Sequence, residues 1–174
     1  MANTDWFKRT EEKLLFYSQV QSFDEAMKEW KYTGRGRAHM KSNQVCELCG
    51  QKGLRYRFKI LNELNGNVLH VGSNCIKKFS GIEIRNDGQL VLDPADRKKH
   101  LDRKERELRK QHAALQPLRH LYVEDRHRAD HRQSILDAVE FYQTYGRWPC
   151  DIVRLITRMD DRGIDYDPSC YLVN

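Results

Sequence analysis

The segment Cys46-Glu47-Leu48-Cys49-Gly50, answered downstream by His70-Val71-Gly72-Ser73-Asn74-Cys75, constrains the fold more than any other part of this chain. A Cys-x-x-Cys turn followed by glycine is a knuckle: two thiolates converge on one point, and Gly50 lets the backbone reverse without a Cβ clash. Such a pair is half of a tetrahedral site, so the fold must bring further ligands from elsewhere. Cys75 is placed to be one, because Ser73 can cap a short helix running through Ile76 and Phe79 to Gly81. That puts the Cys75 thiolate on the first turn, where the helix dipole favours negative charge. The ion expected is Zn2+. His70 is the nearest fourth ligand, completing a set of Cys46, Cys49, His70 and Cys75; Cys150, Cys170, His39 or a water are the alternatives.

Between the two halves of this site the sequence reads as a hairpin. Leu54, Tyr56, Phe58 and Ile60 alternate with Arg55, Arg57 and Lys59, a period of two that makes one face apolar and the other a basic ladder. Tyr56 and Phe58 thereby fall on the core face rather than among base-stacking groups. Asn65-Gly66 is a strong turn signal, and Val68 to Val71 returns as the partner strand. Knuckle, hairpin and ligand-bearing helix are the layout of a treble-clef zinc finger. The Cys-x-x-Cys-Gly, the aromatic-rich hairpin and the Val-Gly-Ser-x-Cys also resemble small proteins encoded by phages and their bacterial hosts. That resemblance spans residues 30–80 and implies no activity. Where related patterns place a cysteine two residues before the last one, this chain has Ser73, which leaves the fourth ligand open.

The 174 residues carry a net charge of +6, and its distribution matters more than its total. Residues 31–61 sum to +7 and residues 94–132 to +5, whereas residues 1–30 and the C-terminal stretch are net negative. Lys31, Arg35, Arg37 and Lys41 lie in a Gly-containing approach to the knuckle; Arg55, Arg57 and Lys59 lie on the hairpin that leaves it. A phosphate backbone is the natural partner of such a surface, with Thr33-Gly34-Arg35-Gly36-Arg37 as a basic loop that orders on contact. An acidic protein surface meets the same charge.

Outside residues 32–93, which form the zinc-binding unit, the chain reads as helical support. Residues 1–31 hold two helices, one with Trp6, Phe7, Leu14, Leu15 and Tyr17 inward and one capped by Ser22. Ile82, Ile84, Leu90 and Val91 flank Asn86-Asp87-Gly88 as a second small hairpin. Residues 94–116 are a charged helix with Asp93 as N-cap, a thin stripe of Leu101, Leu108 and Leu115, and expected pairs Asp102–Arg106 and Glu105–Arg109; Pro117 is expected to interrupt it. Residues 117–174 carry a helix with Ile135, Ala138, Val139 and Tyr142 inward, stopped by Gly146. A further helix follows from Pro149, and Cys150 and Cys170 are expected as buried thiols. His127 and His131 read as a surface pair.

The expected class is therefore α+β, a treble-clef-like unit with surrounding helices. Five cysteines, two of them in a knuckle, suit metal binding better than a disulfide framework. No apolar run resembles a signal peptide or reaches the ~20 residues that cross a bilayer, so a cytoplasmic setting is expected. There is no Gly-rich phosphate loop, no Gly-x-Ser-x-Gly elbow and no deaminase motif. The catalytic alternative is a treble-clef nuclease with His70 as base oriented by Asn74. The leading expectation is a non-enzymatic zinc protein that binds DNA or RNA in an accessory or regulatory role. Its competitor is a protein-interaction module, such as a phage-encoded inhibitor of a host nucleic-acid enzyme.

Overall fold

Trp30 and Tyr32 are buried on one side of a strand whose alternate residues, Lys31 and Thr33, are only half-buried, and this strand is the centre of the molecule's sheet. In a computed structural model, which describes residues 4–86 and 88–171, the elements are α1 (Thr4–Phe16), α2 (Phe23–Lys28), β1 (Trp30–Ala38), β2 (Tyr56–Asn62), β3 (Val68–Val71), α3 (Ser73–Lys78), β4 (Glu83–Asn86), β5 (Gln89–Leu90), α4 (Pro94–Glu124), α5 (Ala129–Tyr145) and α6 (Ile152–Asp160). The protein is mixed α and β, as expected, with one five-stranded sheet in the order β3-β2-β1-β4-β5. Two units are distinct: residues 1–37 with 42–108, and residues 38–41 with 109–174.

In the first unit the β2–β3 hairpin pairs Phe58 with Val71, Lys59 with His70, Ile60 with Leu69 and Leu61 with Val68. Phe58 and Ile60 are fully buried, so the expected alternation holds, with Tyr56 half-buried at its edge. The expected loop Thr33–Arg37 is instead part of β1, which runs parallel to β4. Its glycines hid the strand. Gly36 is needed there because a Cβ would meet Leu108 Cδ1 at 2.7 Å and the Arg57 carbonyl at 3.1 Å. The β4–β5 hairpin is present, pairing Asn86 with Gln89; Asp87 of its expected turn lies outside the described residues.

Glu29 closes this unit. Its carboxylate accepts from the Gln19 and Val20 amides at 3.0 Å and from Asn62 Nδ2 at 2.5 Å, tying the α1–α2 connection to the end of β2. Burial alone would push this carboxyl up, but those hydrogen bonds outweigh it and hold it below its ordinary value. A group depressed on folding stabilises the fold at neutral pH and loses that contribution as pH falls through the carboxylate range. Glu29→Gln is therefore expected to cost ~1–3 kcal/mol at neutral pH. Urea denaturation should show wild type and variant converging at acid pH; a gap that stays constant with pH would contradict this role.

The second unit is helical. Leu115, Leu118 and Leu121 of α4 are buried, as are Ile135, Ala138 and Val139 of α5 and Ile152, Leu155 and Met159 of α6. Pro117 does not break α4, contrary to the expectation of an end at 116; the helix continues to Glu124. A mid-helix proline costs one N–H bond, and the buried leucines on either side of it outweigh that loss. Asp93 does cap α4, accepting from the Ala95 and Asp96 amides at 2.8 and 2.9 Å. Asp102 and Glu105, however, both meet Lys77 of α3 rather than serving only pairs along their own helix. Asp125, fully buried, takes Arg158 and Arg162. Gly146 ends α5 in the left-handed region at φ 70°. Cys170 is half-buried and Cys150 is exposed, a correction: the inward positions of α6 are 152, 155 and 159, and Cys150 lies in the turn before them.

Candidate metal centre and basic sheet face

The knuckle is built by local hydrogen bonds before any metal is considered. Gly50 N donates to the Cys46 carbonyl at 2.8 Å, Cys46 N to the Gln51 carbonyl at 2.9 Å, and Gly50 adopts φ +76°. Below it, Gln44 and Leu54 exchange backbone hydrogen bonds, which closes the loop and starts β2 from a fixed point. Glu47 then seats the knuckle on the free edge of β3. Its amide donates to the His70 carbonyl at 3.0 Å, and its carboxylate accepts from the His70 amide at 2.6 Å.

Cys75 arrives on the first turn of α3, as expected, but Ser73 is not the cap. Gly72 holds that position in an extended conformation, and its carbonyl accepts from Cys75 N at 3.1 Å and Ile76 N at 3.2 Å. The sulfurs of Cys46, Cys49 and Cys75 lie within 4.8 Å of one another, all three residues are buried, and together they could hold a metal ion. Cys46 Sγ stands 3.6 Å from Cys75 Sγ and accepts the Gly72 amide at 3.3 Å. The hydrogen bond from Cys75, followed by amides of Gly72, Cys49 and Leu48, pushes the Cys46 thiol well down against the effect of burial. Cys75 is pushed up by the same hydrogen bond, by burial and by the Cys46 charge. Three thiolates this close need a cation to be ionised together.

His70 is not brought to the three sulfurs. Its Nδ1 lies 3.4 Å from Glu47 Oε2, on the ladder opposite Lys59. His39, Cys150 and Cys170 belong to the second unit, and among the described residues no fourth His, Cys, Asp or Glu joins the group.

The basic residues are sorted by the same pleat. Trp30, Tyr32, Phe58 and Ile60 face the core, which places Lys31, Arg35, Arg37, Arg57 and Lys59 on the other side of adjacent strands β1 and β2. Arg35, Arg37 and Arg55 are exposed. Lys31 pairs with Glu63, and Arg57 donates to Glu47 Oε1 at 3.3 Å and the Val45 carbonyl at 3.4 Å. No ion pair engages Arg35, Arg55 or Lys59 among the described residues. Lys41 is exposed and belongs to the second unit. Glu47 was not singled out from sequence, although its place inside the knuckle, between two cysteines, was the available signal. Comparison of the chain with protein-family models, curated proteins and solved structures gives no match.

Proposed function

We propose that this is a zinc-braced nucleic-acid-binding protein, in which a treble-clef-like centre of Cys46, Cys49 and Cys75 fixes the hairpin that presents a basic sheet face to phosphates. Two sulfurs on one tetrahedral zinc, each ~2.3 Å from the ion, stand about 3.8 Å apart. The 3.6 Å between Cys46 Sγ and Cys75 Sγ fits that edge. Burial of all three cysteines favours a structural role for the ion, with the fourth position filled from outside the set of His, Cys and carboxylate side chains described above. Thiols kept unpaired at this spacing fit a reducing compartment such as the cytoplasm.

The observation that carries the reading is the placement of Arg35, Arg37 and Lys59 on one outward face of adjacent strands, with Arg55 exposed at the start of β2. Guanidinium and ammonium groups on a rigid sheet meet phosphates without the ordering cost that a loop would carry. Fluorescence anisotropy with labelled DNA and RNA at low salt should show binding that weakens as salt rises. Absence of binding at low salt would overturn the reading. Capture from a lysate that survives nuclease treatment would point to an acidic protein surface instead.

A further inference from the structure

The outward face of the sheet is divided by charge along the length of its strands. At one end Lys31 pairs with Glu63 and Arg85 with Glu83, and Lys31 stands in register with Glu83, so cations and carboxylates balance there. Strands β1, β2 and β3 themselves contain no Asp or Glu, and the cations of the other end come from β1 and β2. Resting on the reading of a nucleic-acid partner, we infer that this cationic end takes the phosphate backbone of a duplex and reads none of its bases.

Register concentrates the charge. The Glu63 amide donates to the Glu29 carbonyl at 2.9 Å and Thr33 Oγ1 donates to the Lys59 carbonyl at 3.0 Å, so β1 and β2 run antiparallel and Arg35 falls beside Arg57. The Arg57 carbonyl lies 3.1 Å from where a Cβ on Gly36 would stand, which agrees with that register. Like charges side by side on neighbouring strands weaken a sheet. Glu47 answers Arg57, but no ion pair engages Arg35 or Lys59 among the described residues. A phosphate lying over the two strands supplies the anion that this end of the face lacks.

The pleat decides between duplex and single strand. Trp30, Tyr32 and Phe58 are buried on the opposite side of the sheet, where Tyr56 also donates to Glu105 of α4. Residues 39–55, which lead from β1 to β2, contain no Phe, Tyr or Trp. His70, the ring beside Lys59, has its Nδ1 3.4 Å from Glu47 Oε2. An unpaired base therefore finds no aromatic platform on these strands, the feature that holds single strands on binding proteins. A duplex offers the denser charge, about one per 1.7 Å of axis against about one per 3.4 Å for a single strand. Cations that meet phosphates position the duplex without carrying sequence information.

The test is anisotropy with fluorescein-labelled duplexes of two unrelated sequences, as DNA and as RNA, and with one strand of each alone. Wild type should bind duplex more tightly than single strand, and should bind the two sequences within ~5-fold, less than one base-edge contact confers. The DNA and RNA arms report which duplex geometry is favoured. Arg35→Ala should lower the magnitude of the duplex salt slope by ~0.9 on both sequences, and Arg35→Lys should restore it. Lys31→Ala and Arg85→Ala, at the balanced end, should leave the slope unchanged. Circular dichroism checks that each variant is folded. If wild type binds single strand as tightly as duplex or more so, separates the sequences by more than that margin, or loses as much slope at Lys31 as at Arg35, the duplex assignment is overturned while the nucleic-acid reading stands. If wild type binds neither form, both fail together.

Discussion

Cys46→Ser is expected to release the metal and abolish cooperative unfolding of the unit that carries the sheet. Cys46 is the most connected of the three sulfurs, hydrogen-bonded to Cys75 Sγ and to the amide of Gly72, the residue that caps α3. It therefore joins knuckle, edge strand and helix in one contact. Structural zinc in small domains contributes apparent binding free energies of ~10–16 kcal/mol at neutral pH, against total domain stabilities of ~5–15 kcal/mol. A unit that loses this term falls below its folding threshold. Cys75→Ser and a strong chelator should act alike, and Cys150→Ser, at an exposed position, should change nothing. Thermal unfolding followed by circular dichroism reads the outcome. A serine variant that unfolds at the wild-type temperature would show that the sulfurs brace nothing.

The second large effect is expected from charge removal at Arg35, Arg37, Arg55 and Lys59 together. All four changes to alanine spare the cysteines and the apolar faces of β1 and β2, so the fold should persist. Each lost phosphate contact lowers the magnitude of the log–log salt slope by ~0.7–0.9, and four contacts lower it by about 3. Arg57 is left in place because it donates to Glu47 and Val45 and supports the knuckle. An anisotropy titration across salt concentration measures the slope. Unchanged binding by the folded variant would move the contact surface elsewhere, with the basic stretch of α4 as the next candidate.

Local patterns announced the centre of the first unit well. The glycine after Cys49 and the spacing to Cys75 marked three sulfurs that meet, and strict alternation from Leu54 to Ile60 marked the buried side of β2. Long-range placement was harder to see. Thr33–Arg37 has the composition of a loop, yet it continues the central strand β1, which lies beside β2 and whose Lys31 and Tyr32 pair with β4, and Gly36 is there for the close approach of Leu108. His70 has the residue type and spacing of a ligand. Glu47, however, takes its amide and turns the ring toward its own carboxylate, an interaction between two halves of the motif that spacing cannot reveal. Pro117 signals a break by local rule, and only burial of Leu115, Leu118 and Leu121 explains why α4 continues.

Metal content of wild-type protein purified without chelator tests the central claim most directly. Elemental analysis alongside a count of reactive thiols should find one equivalent of zinc per chain, with Cys46, Cys49 and Cys75 unreactive until the metal is removed. Folded protein with no stoichiometric metal, or with those three thiols freely titrated while zinc remains bound, would contradict it.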